Sequence, residues 1–153
     1  MKIYIENVEK TIEAGKIIGR ALKKGDIICL DGDLGAGKTH LSKGIAKGLD
    51  IEEEITSPTF TIVQEYEGRI ALYHFDVYRI ADSEEMYNVG FEDYLNKNGV
   101  IIIEWSEIIK DILPHDRLEI KMVYAPEGGR YFSFNAFGKR HDQLLRDIAE
   151  KLR

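Results

Sequence analysis

The 153-residue chain is poor in cysteine and proline, short of unbroken apolar sequence, and without excess positive charge. Its one cysteine, Cys29, excludes an internal disulfide. It lies in the apolar run Ile27–Leu30 and reads as a buried structural thiol rather than a reactive one. The four histidines, His40, His74, His115 and His141, are not spaced from one another or from Cys29 as zinc ligands are. No apolar run exceeds four residues, whereas a membrane span needs about 18 or more. The amino-terminal MKIYIENVEK lacks the apolar core of a signal peptide, so the cytoplasm is expected and a membrane is not. A net charge of −6 does not imply the strongly basic face that is the usual footprint of a nucleic-acid binder. The basic pairs Lys23–Lys24 and Lys139–Arg140 read as helix-end charges. Any nucleic acid would be held by a partner.

With 44% apolar and 31% charged residues, the chain is expected to fold as one domain over residues 1–153. Low-complexity segments, internal repeats and linkers are absent. A helix is predicted over 8–24, with Val8, Ile12, Ile18 and Leu22 near helical spacing and Asn7 as N-cap. Ile27–Leu30, flanked by the breakers Asp26 and Asp31, reads as a buried strand, and a second helix follows over about 38–49. Residues 59–66 and 69–78 read as a hairpin around Glu67-Gly68. A helix over 82–95 is predicted, N-capped by Asp82 or Ser83 with Glu85 completing a capping box. Val100–Ile103 is a second buried strand, and a short helix over 106–113 is stopped by Pro114. Strands over 117–124 and 130–137 flank a turn, and an amphipathic helix covers 139–153. Alternating strands and helices give an α/β class: a P-loop NTPase-like fold with a mixed, mostly parallel central sheet flanked by helices, plus a β-hairpin.

Gly32-Asp33-Leu34-Gly35-Ala36-Gly37-Lys38-Thr39 matches G-x-x-x-x-G-K-[ST] at every fixed position. A chance match in a chain this long is roughly one in a few hundred. The loop follows a predicted buried strand and opens a predicted helix, as phosphate binding requires. Backbone N–H groups turned inward form an anion nest, and the helix N-terminus, including His40, adds its dipole. Lys38 would place its charge on the β- and γ-phosphates, and Thr39 would offer a hydroxyl to magnesium. Residues 32–40 are therefore the candidate nucleotide-binding segment, with ATP or GTP as ligand.

Magnesium takes octahedral oxygen ligands, and P-loop proteins supply an acidic residue at the end of a neighbouring strand. Glu104, ending VIIIE, fits that place, although aspartate is the commoner residue there; otherwise it is an ordinary strand-end carboxylate. Asp76 could bind magnesium or orient the attacking water, or could form a turn paired with Arg79. Ser57-Pro58-Thr59-Phe60 could place a hydroxyl near the γ-phosphate, or could be a strand entry. Trp105 has either a place at the site or one in the core.

Taken together, GDLGAGKT (32–39), SPTF (57–60), HFDVYR (74–79) and IEW (103–105) closely resemble the bacterial TsaE family, also called YjeE, over about three quarters of the chain. These are ATPases required for the threonylcarbamoyladenosine modification of tRNA. The resemblance implies that Lys38 and Thr39 are the phosphate lysine and magnesium hydroxyl. It implies that Glu104 is the magnesium-associated glutamate and Asp76 an essential aspartate. Thr11 matches a position near the base, and Arg130, more loosely, one that approaches the nucleotide. The implied cofactors are ATP and Mg2+. The implied partners are TsaB and TsaD, with tRNA contacted only through them. Two other functions share the loop: a small-molecule kinase, for which no lid-sized insertion is found, and a nucleotide-gated binding module that needs no hydrolysis.

Overall fold

Isoleucine-rich strands that bury both faces belong in the middle of a parallel sheet, and that is where they lie. The computed structural model describes residues 1–33, 35–58 and 62–153. β1 (Lys2–Ile5), β2 (Ile27–Gly32), β3 (Val63–Tyr66), β4 (Leu72–Asp76), β5 (Val100–Glu104), β6 (Arg117–Tyr124) and β7 (Arg130–Phe137) form one sheet in the order β1-β7-β6-β2-β5-β4-β3. β6, β2, β5 and β4 are mutually parallel, while β3 and β7 run against them. β1 pairs antiparallel with β7, so five strands point one way and two the other. The mixed, mostly parallel sheet is thus the expected one.

Alternation along the strands divides the core. Ile28, Leu30, Ile102, Leu118, Ile120 and Phe132 join one cluster with residues of α1 (Val8–Ala21), α2 (Lys38–Gly48) and α5 (Lys139–Leu152). Ile27, Cys29, Phe75, Ile101 and Ile103 join the other, with Phe91 and Ile109. That second face is covered by α3 (Glu84–Asn88), α4 (Phe91–Leu95) and a 3-10 helix (Ser106–Ile112). Cys29 is fully buried, and burial pushes its thiol pKa up to about 12, so it is a core residue.

The first helix starts as read, with Asn7 Oδ1 accepting from the Lys10 N–H at 2.9 Å. Its buried face differs, however. Thr11, Ala14, Gly15, Ile18 and Gly19 point inward, while Val8 is 46% exposed. The reason is its neighbour. A Cβ on Gly15 would lie 2.7 Å from Gly44 Cα, and one on Gly19 2.8 Å from Gly48 Cα. Gly15-x-x-x-Gly19 on α1 therefore meets Gly44-x-x-x-Gly48 on α2 backbone to backbone, an approach only glycine permits.

One further expectation changes, and one strand is additional. β1 is a strand that the sequence pattern does not announce; its four residues alternate in burial and pair with β7. The helix over 82–95 is two short helices, because Gly90 adopts φ 77° between them. Asp82, not Ser83, supplies the local bond, its Oδ1 accepting from Glu84 N–H at 3.0 Å. The predicted hairpin is β3–β4; its expected start at Thr59, Phe60 and Thr61 lies outside the described residues.

The candidate nucleotide site

β2 runs directly into the glycine-rich loop and the loop into α2, so the strand end and the helix start face each other across one turn. Gly37 takes φ 110°, which L side chains resist, and it precedes a helix that no side chain caps. The first N–H groups of such a helix have no intrahelical partner and carry its positive dipole end. Gly37, Lys38, Thr39 and His40 line a cleft of about 340 Å³ together with Gly35, Ser57, Asp76, Tyr78, Glu104 and Trp105. Leu34, also expected in the nucleotide segment, lies outside the described residues.

Lys38 is buried, its Nζ donating to the Gly32 and Asp33 carbonyls at 2.9 and 2.8 Å. The same ammonium lies 4.0 Å from the centroid of the Trp105 ring, which packs tilted against Tyr78 at 4.7 Å. Trp105 thus belongs to the site as well as to the core. Burial lowers the Lys38 pKa; the Glu104, Asp31 and Asp76 carboxylates oppose that shift.

The carboxylates arrive on adjacent strand ends. β4 and β5 pair Asp76 with Glu104, and β5 and β2 pair Glu104 with Leu30, beside the strand that feeds the loop. Glu104 is 2% exposed. Its Oε1 accepts from Thr39 Oγ1 at 3.4 Å, and Thr39 Oγ1 also lies 2.8 Å from Ser57 Oγ. The Ser57 reading therefore places a hydroxyl in the cleft, while Thr59 and Phe60 of that motif lie outside the described residues. Asp76 Oδ1 accepts from Tyr78 N–H at 3.0 Å, forming the expected turn; among the described residues no Asp76–Arg79 ion pair is formed. Burial raises the Asp76 pKa, the Tyr78 N–H lowers it, and the Glu104 carboxylate raises it further.

Two more expected residues reach the loop. Arg130, at the start of β7, donates Nε to Ala36 O at 3.2 Å and lies 4.1 Å from the Tyr124 ring centroid. Buried Thr11 points its methyl toward Gly37, since a Cβ there would lie 3.9 Å from Thr11 Cγ2. Its hydroxyl is used within α1, donating to Asn7 O at 3.2 Å.

Asp31, Ser42 and His74 also serve the site, in places their sequence context does not assign them. Asp31 is not a breaker but the buried fifth residue of β2. It accepts from Ser106 Oγ at 2.6 Å and from Glu107 N–H at 3.0 Å, fixing the turn that carries Trp105 at φ 65°. Burial raises its pKa, and those two bonds work against the rise. Ser42 Oγ approaches Glu104 Oε2 at 3.4 Å, and His74 Nε2 lies 2.5 Å from the same oxygen. The period-2 spacing of His74 and Asp76, which puts both on one face of a strand, was the available signal.

The donor set suits magnesium, which keeps waters and substrate phosphates and needs few protein ligands. Among the described residues no group of three or more His, Cys, Asp or Glu could hold a metal by itself. Two carboxylates and two hydroxyls converge instead, all oxygen, beside a helix start suited to phosphate. No helix among the described residues is long and apolar enough to cross a membrane.

Residues 5–132 match the family described as "Threonylcarbamoyl adenosine biosynthesis protein TsaE". The tRNA threonylcarbamoyladenosine biosynthesis protein TsaE of Bacillus subtilis (strain 168) is 41% identical over 144 residues, 94% of this chain and 90% of that one. Its namesake in Treponema pallidum (strain Nichols) is 41% identical over 130 residues, 85% and 96% of the two chains. The crystal structure of Bacillus subtilis YdiB superposes with a TM-score of 0.84 at 36% identity, covering 100% of this chain and 96% of that one.

Proposed function

The chain belongs to the TsaE family, and from that premise we propose that residues 1–153, as one domain, are a magnesium-dependent ATPase of the cytoplasm. It would serve the threonylcarbamoyladenosine modification of tRNA together with TsaB and TsaD. The observation that supports the reading best is the facing of an uncapped α2 N-terminus, with Lys38 and Thr39, onto the paired carboxylates Asp76 and Glu104.

Lys38 leaves the Gly32 and Asp33 carbonyls for the β- and γ-phosphates of ATP, an exchange of one set of oxygen acceptors for a charged one. Trp105, with its ring centroid 4.0 Å from the ammonium, walls the cleft beside it. Thr39 and Glu104, with Asp76 beside them, would hold Mg2+. When bound, the ion neutralises charge on the phosphate oxygens. The raised pKa of Asp76 suits a group that accepts a hydrogen bond from the attacking water and positions it. Arg130 braces the loop through Ala36 O, and Gly35, Ala36, Gly37 and His40 complete the cradle. The phosphate chemistry then rests on positioning and charge stabilisation.

Phosphate release should be measured for the purified chain alone and with the TsaB–TsaD pair, for wild type and for Glu104→Ala. The expected result is slow release alone, acceleration by the pair, and loss of both in the variant. Fast release that ignores the partners, or that survives Glu104→Ala, would overturn the proposal. Transfer of phosphate to a metabolite rather than to water would make the chain a kinase.

A further inference from the structure

We infer that His74 is a positioning residue that divides the two oxygens of Glu104 between the protein and the metal. The inference rests on the magnesium-dependent reading above. Glu104 is 2% exposed and His74 fully buried, so neither side chain can turn to bulk water for a partner.

The carboxylate is held asymmetrically. Oε2 faces inward, with His74 Nε2 at 2.5 Å and Ser42 Oγ at 3.4 Å. Oε1 faces the Thr39 hydroxyl at 3.4 Å, toward the cleft. The Ser42 hydroxyl has a single proton and also approaches Lys38 O at 3.0 Å, so its hold on Oε2 is the weaker one. His74 Nδ1 has no hydrogen-bond partner among the described residues. A buried N–H there would be left unsatisfied, so the ring's proton belongs on Nε2, where it donates to Oε2. A hydrogen bond to an ionised acceptor is among the stronger ones.

The strands set this up. His74 and Asp76 lie two residues apart on β4 and share a face, and Asp76 is paired with Glu104 on β5. His74 thus reaches the same carboxylate from behind, while Asp76 sits beside it at the cleft. With Oε2 committed to His74, Glu104 presents Oε1 in one orientation. Without that donor the carboxylate would be free to turn Oε2 toward Thr39 or Lys38.

The test is the affinity of Mn2+, as a paramagnetic probe, for the complex of the full chain with a non-hydrolysable ATP analogue, measured by electron paramagnetic resonance. His74→Leu should weaken Mn2+ by about 10–100-fold, the usual effect of losing a hydrogen bond to a metal ligand. Affinity for the nucleotide in EDTA should stay unchanged, and His74→Gln, whose amide N–H can replace Nε2–H, should recover most of the loss. Glu104→Gln should weaken Mn2+ in the wild-type background and add little in His74→Leu. Mn2+ affinity unaltered by Glu104→Gln would overturn the metal reading itself. Weakening by Glu104→Gln but not by His74→Leu would overturn the role of His74 alone. If His74→Leu does not fold, His74→Gln and the 15N spectrum of the imidazole decide: a proton on Nε2 supports the inference, and one on Nδ1 overturns it.

Discussion

Replacing Gly44 by alanine sets two known effects against each other. In a helix interior alanine is better than glycine by about 1 kcal/mol, so propensity alone predicts a more stable protein. At Gly44 the new Cβ would overlap the Ile12 carbonyl and lie 2.9 Å from Gly15 Cα. Both neighbours are helix backbone, which cannot give way as a side chain can. Overpacking a core costs about 1–3 kcal/mol, and with only rigid helices to yield the upper end applies. The net expectation is a loss of about 2 kcal/mol, a fall in Tm of about 4–8 °C for a chain of this size. Far-UV circular dichroism melts would read the shift, and urea titration with an unchanged m-value would assign it to the native state. Prying α1 from α2 also moves Thr11 away from Gly37, so nucleotide affinity should fall with Tm. Gly15→Ala added to Gly44→Ala should cost less than it does alone, because the helices are already apart. A Tm equal to or above wild type would refute the reasoning, since propensity would then outweigh backbone contact.

Three other outcomes follow from the same geometry. Arg140→Ala leaves Asp26, 1% exposed, without its two-pronged partner at 2.7 and 2.8 Å, and should cost about 3 kcal/mol in urea unfolding. Asp76→Asn should cut phosphate release by about 100-fold or more, yet raise Tm at neutral pH. The carboxyl's raised pKa means that its contribution to stability is full below the ordinary aspartate pKa of about 3.9 and is lost as pH rises through the folded value. His141, whose Nε2 accepts from Ile27 N–H at 3.0 Å, has a pKa lowered by burial. Its contribution is full above about pH 6.5 and is lost as pH falls through the folded value; melts from pH 7 to pH 5 should show a smaller drop for His141→Gln, which keeps an acceptor without a titrating group.

Much of the site was legible because local patterns carry it. The glycine-rich loop, its flanking strand and helix, Asn7 as cap and Glu104 at a strand end all depend on residues close together in the chain. What escaped depends on residues far apart. Whether the glycines of α1 are a weakness or a contact surface is decided by Gly44 and Gly48, beyond the intervening β2. Asp31 looks like a strand terminator until Ser106 and Glu107 arrive to satisfy its carboxylate. His74 opens the HFDVYR motif without a role of its own until β5 brings Glu104 beside it. The break at Gly90 was local, yet the helical pattern around it masked a positive φ. β1 is too short to announce itself and exists through its pairing with β7.

That last pairing has a consequence for how the protein is made. A ribosome releases the chain in order, at about 5–20 residues per second. β1 emerges first but finds its partner only when residues 130–133 follow. The phosphate loop likewise emerges long before Arg130, which braces it at Ala36. For several seconds of each synthesis the loop exists as sequence without the strand that anchors it, and the proposed nucleotide site is completed late.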